Sequence, residues 1–241
     1  MELIWKFCDS DITKVRDFVN ANRGPEVVKV INRNIYHNER NIDKDAILRT
    51  MLTCLLATDA NSFPLKSTGH LISKKPYLLD YTYLVKIRDV EMTFEDLFQS
   101  AGITKHIKKV PHYFAINLEF LIQSGWKIET ELNDITGREL TKTDERKLAD
   151  KVDKSFKGFG SKEARSFLFA LGVTRFEIPI DPMVTRWMEK FGFPLKFSKA
   201  ALQDIQIYHF ISDGLQKICE ISEIFPCVLY ASILQDHRVL E

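Results

Sequence analysis

The chain has 241 residues, 45% of them hydrophobic and 28% charged, with a net charge of +1. That length suits one large globular unit or two coupled subdomains and excludes a disordered or fibrous chain, while the balanced charge excludes a globally basic nucleic-acid binder, so any such binding must come from local patches. The longest apolar stretch, Phe225 to Leu234, contains a proline and is about half the ~20 residues a membrane helix needs, and Glu2, Lys6 and Asp9 interrupt the N-terminus. A soluble intracellular protein with no membrane segment is expected, cytoplasmic or, in a eukaryote, nuclear.

Periodicity is helical nearly throughout. Ile12, Val15, Phe18 and Val19 keep a 3.6-residue spacing, with Ser10 as a cap and Gly24-Pro25 as the stop. A strongly apolar helix starts near Asp43 and runs through Ile47 and Met51 to Leu56. Another covers Tyr113 to Ile122 and ends at Gly125, and Leu148, Val152 and Phe156 stripe a helix that Thr143 would cap. Glu177-Ile178-Pro179-Ile180 is a short extended connector. No sustained alternation of the kind a half-buried sheet requires is present, so the expected class is all-α, with no internal repeat and no composition break to mark a domain boundary.

Cys8, Cys54, Cys219 and Cys227 are too scattered for a disulfide framework or a zinc site and lack the close pairs of an iron–sulfur loop. Buried free thiols and no iron–sulfur cluster are expected. The six histidines show no paired metal spacing.

Phe156-Lys157-Gly158-Phe159-Gly160-Ser161-Lys162-Glu163-Ala164 stands apart. Ser161 reads as an N-cap, Ala164, Phe167, Leu168 and Leu171 supply the apolar face of the helix that follows, and Gly172 closes it where a left-handed residue is wanted. With a helix on each side this is a helix-hairpin-helix. Gly158 and Gly160 can take positive φ and carry no Cβ, so their N–H groups can approach a phosphate beside a helix N-terminus. Such a turn grips a backbone without reading bases; two glycines also serve a plain tight connection between helices. Lys151, Lys154, Lys157, Lys162 and Arg165 flank the turn, diluted by Asp153 and Glu163, and a second cluster is Lys105, Lys108 and Lys109. Asp181 precedes Pro182, which is an ordinary helix start.

The run Lys157-Gly-Phe-Gly-Ser-Lys-Glu-Ala-Arg-Ser-Phe-Leu168, followed by Ile178-Pro-Ile-Asp181, resembles the helix-hairpin-helix DNA glycosylases of base excision repair, most closely the archaeal-type 8-oxoguanine DNA glycosylases. The strong match covers roughly residues 143 to 190. Weaker echoes are Leu55 to Asn61, in the place of the polar helix end that inserts at the lesion, and Tyr230 to Glu241, in the place of the C-terminal helix and tail.

The resemblance implies a bifunctional glycosylase/AP lyase acting on double-stranded DNA with a damaged base, in two helical subdomains flanking a cleft. A central barrel, about 46–169, would end in the hairpin and supply Lys162; residues 1–45 and 170–241 would form the second subdomain and supply Asp181. Lys162 would be the nucleophile and Asp181 its catalytic partner. Gly158, Gly160, Lys157, Ser161 and Arg186 would hold phosphate, and Asp59, Asn61, Trp126 and Phe210 would serve lesion insertion or recognition, although aromatic residues at helical spacing, Phe114 and Trp187 among them, also serve a core. No redox cofactor or catalytic metal is implied; a structural Na+ or K+ would sit on backbone carbonyls near Phe156 to Gly160. A monomer is expected. A lysine nucleophile must shed its proton, and a helix N-terminus contributes only ~0.3–1 kcal/mol toward that, so desolvation has to supply the remainder.

Two positions depart from the family pattern. Met183 stands where a histidine is common two residues after the aspartate, with Arg186 as a substitute donor to phosphate, and Glu241 stands where a terminal lysine is used in recognising the oxidised guanine. The rival readings are a non-catalytic helix-hairpin-helix DNA-binding protein and an interaction protein that has kept the fold alone.

Overall fold

The computed structural model describes residues 4–38, 42–57, 79–103, 106–135, 139–194 and 196–236, and the structural statements that follow concern these. They form twelve α-helices and no strand. In chain order these are α1 Asp9–Ala21, α2 Pro25–Val30, α3 Lys44–Leu56, α4 Tyr81–Leu84, α5 Val90–Ser100, α6 Lys109–Gln123, α7 Lys127–Asp134, α8 Lys142–Ser155, α9 Ser161–Ala170, α10 Pro182–Phe191, α11 Ile205–Ile221 and α12 Pro226–Gln235. A π-helical segment, Ile31–Ile35, continues α2, and a short 3-10 turn, Ala201–Gln203, precedes α11. None of these helices is by itself long and apolar enough to cross a membrane.

The chain divides into two compact units, residues 1–40, 140–150 and 160–241 in one and 41–139 and 151–159 in the other. In the first, Val15, Val19, Val27, Val30, Ile178, Ile180, Val184, Trp187, Tyr208, Ile211, Leu215 and Leu229 share one apolar core. The second is built on α3, α5 and α6, which pack together around Phe94, Phe98 and Phe114, with Phe94 and Phe114 ring centroids 4.8 Å apart. Trp126 belongs to that interior as well: it is 5% exposed, takes a left-handed φ of 59° at the start of α7, and meets Tyr81 edge-on at 5.0 Å.

Several helix boundaries differ from the sequence expectation, each for a local reason. The cap of α1 is Cys8, two residues before Ser10, and the Asp11 carboxylate closes a capping box by accepting the Cys8 amide at 3.0 Å; Cys8 is exposed while Cys54, Cys219 and Cys227 are buried. Gly24-Pro25 does stop α1, but Pro25 also opens α2, because a ring-locked φ and a missing N–H suit the first helical position. Thr143 lies inside α8; its cap is Thr141, whose Oγ1 accepts from the Asp144 amide at 3.2 Å and donates to the Asp144 carboxylate at 2.7 Å. Burial pushes the Cys219 and Cys227 thiols up, so both stay protonated and behave as small apolar groups.

Candidate active site

Two helix starts in the first unit carry the residues that the sequence singles out. At α9 the N-cap is Gly160 rather than Ser161, with φ −135° and ψ −174°, and the Glu163 carboxylate reaches back to accept the Gly160 amide at 3.2 Å. This one-sided arrangement uses a first-turn carboxylate where a side-chain cap on residue 160 is impossible. Lys162 is the second residue of the helix. Its Nζ lies 3.0 Å from the other oxygen of Glu163, and its side chain is 23% exposed, so the amine is only partly withdrawn from water and a carboxylate holds it in place.

A buried charge network supports this first turn. Arg165 has no exposed side-chain surface; its Nε donates to Glu177 at 2.6 Å, one terminal nitrogen to Asp150 at 3.0 Å and the other to the Ser161 carbonyl at 3.2 Å. Glu177 is equally buried, and its second oxygen accepts from Arg146, Ser212 and Gln216 at 2.9, 3.2 and 2.8 Å. Every ion here is neutralised and hydrogen-bonded, which is the condition under which buried charge is tolerated. The same loop is held by Glu145, 1% exposed, whose two oxygens accept the backbone amides of Arg175, Phe176 and Glu177 at 2.9, 2.7 and 2.8 Å. Burial pushes the Glu145 carboxyl up to about 7 against the pull of those three donors, and the Glu177 charge adds to the rise.

That loop runs through Ile178 and Ile180 to the second helix start. Asp181 is the N-cap of α10, its Oδ1 accepting from the Met183 and Val184 amides at 2.8 and 2.9 Å. Its Oδ2 accepts from the hydroxyl of Tyr230 at 2.9 Å, and Tyr230 is fixed by edge-to-face contact with Phe169 at 4.9 Å. A carboxylate offers about four acceptor sites, so three donors leave one for an incoming group. Asp181 is therefore a cap and a candidate reactive group at once, and Met183 contributes its backbone amide to the cap.

In the turn between α8 and α9, one of the two glycines has a positive φ. Gly158 has φ +84°, and a Cβ there would overlap the Tyr113 ring; Gly160 is extended, and a Cβ would come within 3.3 Å of the Glu163 carboxylate. Asn117 clamps the turn like a backbone strand, accepting from the Lys157 amide at 2.7 Å and donating to its carbonyl at 2.9 Å. The Phe156 carbonyl accepts from Phe159 at 3.3 Å.

Of the five cations expected around the turn, three are paired with the protein's own carboxylates: Arg165 with Glu177 and Asp150, Lys162 with Glu163 at 3.0 Å, and Lys151 with Glu131 at 2.6 Å. Lys154 and Lys157 are exposed and form no ion pair among the described residues. Arg186 lies one turn into α10, its Nε 3.3 Å from the Pro182 carbonyl. Phe210 has one ring face against Trp5 at 4.8 Å, while the Trp5 indole donates to its carbonyl at 2.8 Å. Trp126 would have to leave its packing to meet a base, whereas Phe210 is half-buried, with one face on Trp5. Asp59, Asn61 and Glu241 lie outside the described residues. Glu163, Glu177 and Tyr230 escaped the sequence reading; only Glu163 had a local signal, as the third helical residue of a glycine-started helix.

No protein-family model matches the chain, and no curated protein matches it. Two solved structures do. One is that of the Methanocaldococcus jannaschii 8-oxoguanine glycosylase/lyase in complex with a 15mer DNA containing 8-oxoguanine, at a TM-score of 0.67 and 17% identity over 95% of this chain and 99% of that one. The other is that of the Methanocaldococcus jannaschii 8-oxoguanine DNA glycosylase, at 0.58 and 18% identity over 90% of this chain and 89% of that one. The likeness runs over nearly the whole length and establishes the fold, the all-helical one expected from the periodicity of the sequence.

Proposed function

We propose that this chain is a DNA glycosylase of base excision repair with AP lyase activity, acting on 8-oxoguanine in double-stranded DNA. The observation that carries the reading is the likeness over nearly the whole chain to a glycosylase/lyase on lesion DNA, joined to a lysine in the first turn of one helix and an aspartate capping another, both in one compact unit. In the reaction, the target nucleotide leaves the stack, because C1′ is out of reach inside a duplex. The neutral amine of Lys162 attacks C1′, the bond to the base breaks, and its electron pair departs with the base, which takes up a proton. Loss of the amine proton and opening of the sugar give an iminium between Lys162 and C1′, from which β-elimination expels the 3′ phosphate.

Asp181 would stabilise the positive charge that grows on the sugar, with Tyr230 and the two α10 amides holding its carboxylate in one orientation. Glu163, 3.0 Å from the amine, would steady Lys162 between turnovers. The amide of Gly158, Lys157 and the first turn of α9 would grip phosphate, with Arg186 as a further donor, and a structural Na+ or K+ would rest on the carbonyls of the same turn. No redox cofactor or catalytic metal enters this scheme. We take the protein to work as a monomer wherever its DNA lies, in the cytoplasm or, in a eukaryote, the nucleus.

The test is a panel of duplexes carrying 8-oxoguanine, uracil, oxidised pyrimidines or alkylated bases. Base release and strand cleavage should be greatest at 8-oxoguanine and absent in Lys162→Gln, which still binds duplex. Binding without release from any member of the panel would leave the non-catalytic DNA-binding reading in its place.

A further inference from the structure

The second unit carries a cavity of about 460 Å3 on the side of α6 that faces the end of α8, lined among others by Ile116, Phe120, Lys154, Lys157 and Phe159. Its size is that of a small-ligand site. Three features decide what it fits. Its apolar part is exposed rather than spent on the core: Ile116 is 37% and Phe120 41% exposed, and Phe120 leans edge-on against Phe156, 6.2 Å between centroids, which keeps its ring fixed. Its charges have one sign, since Lys154 and Lys157 stand at its rim and no carboxylate lines it. Its amide and serine groups are occupied, Asn117 by the backbone of Lys157 and the Ser155 hydroxyl by the Lys151 carbonyl at 2.8 Å. A ring to stack on, cations beside it and polar groups turned inward suit a ligand with flat apolar faces and a repeating negative charge, taken without regard to its hydrogen-bonding edges.

We infer that this groove binds single-stranded DNA, one unpaired base against Phe120 and Ile116 and its phosphates on Lys154 and Lys157, independently of base identity. An acidic peptide shares the charge, but Ser155 has given its one hydroxyl hydrogen to the Lys151 carbonyl and Asn117 one amide hydrogen to the Lys157 carbonyl, so the exposed ring and the two lysines are the groove's main offer. The inference rests on the second unit alone, so it can fail while the glycosylase reading stands.

The experiment uses the full-length protein with fluorescent oligothymidine and a mixed-sequence strand of equal length, measured by anisotropy. Both should bind with similar affinity, weakening as salt rises. Phe120→Ala should weaken both roughly ten-fold or more, Phe120→Trp should restore binding, and Lys154→Gln should flatten the log–log salt slope by about 0.7. Cleavage of a blunt lesion duplex should be unchanged in Phe120→Ala, whose side chain is exposed enough to spare the fold. Single-strand affinity unaltered by both substitutions would overturn the proposal. So would a Phe120→Ala protein that keeps single-strand affinity but loses an acidic amphipathic peptide, which would make the groove a protein-docking face.

Discussion

The starts of α9 and α10 solve the same problem in opposite ways. At α9 the cap and the candidate nucleophile are different residues: Glu163 satisfies the Gly160 amide, Lys162 projects beside it, and the turn is braced from beneath by the buried Arg165–Glu177 pair. At α10 one side chain does both jobs, because Asp181 satisfies two amides with one oxygen and offers the other, steadied by a neutral hydroxyl. The first arrangement separates stability from chemistry, and the second fuses them. Substitutions should therefore separate the two properties cleanly at α9 and only with an isosteric replacement at α10.

The largest effect should come from the brace. Arg165→Met leaves Glu177 buried without one of its cations, a loss of about 3–5 kcal/mol in urea unfolding, whereas Lys162→Gln on the surface of the same turn should stay within about 0.5 kcal/mol of wild type. Comparable unfolding midpoints for the two variants would mean that the brace carries no stability.

Next is the loop that joins the two helices. Glu145 has a carboxyl raised from 4.5 to about 7, so the folded protein keeps a proton that the unfolded chain releases above 4.5. Its contribution is fully present below pH 4.5 and is lost as pH rises through about 7, roughly 3 kcal/mol over that interval. Glu145→Gln should flatten that part of the pH–stability curve. An unchanged slope in the variant would assign the pH dependence elsewhere.

The smallest effect on stability, and the sharpest contrast, lies at the fused site. Asp181→Ala should cost about 1 kcal/mol for the lost cap, and Asp181→Asn only a few tenths, since asparagine caps about as well. Base release should be crippled in both. Near-normal base release by Asp181→Asn would reduce Asp181 to a cap.

How much of this was legible in the sequence follows from how local each signal is. The all-helical class, the left-handed Gly172 (φ +75°) and the Asp181-Pro182 start depend on residues within one turn of each other, and each reads directly. The α9 cap was read one residue late because a side-chain rule points to Ser161, while the capping carboxylate comes from inside the helix. Arg165 looked like one more cation beside a glycine turn; its partners Glu177 and Asp150 come from other segments, and only folding removes it from the surface. Tyr230 reaches Asp181 from a helix 49 residues away, a pairing that no spacing rule predicts. The π-helical turn of Ile31–Ile35 brings Asn34 to the end of α9, where its amide donates to the Phe169 and Thr174 carbonyls, and it too left no mark in the periodicity.

The central claim is that Lys162 is the amine that joins DNA. Incubating the protein with an 8-oxoguanine duplex and borohydride reduces any iminium to a stable amine, and digestion with mass spectrometry then locates the attachment. A single DNA-modified peptide is expected, with the adduct on Lys162, and none in Lys162→Gln. An adduct on another lysine, or equal trapping by Lys162→Gln on the same substrate, would contradict it.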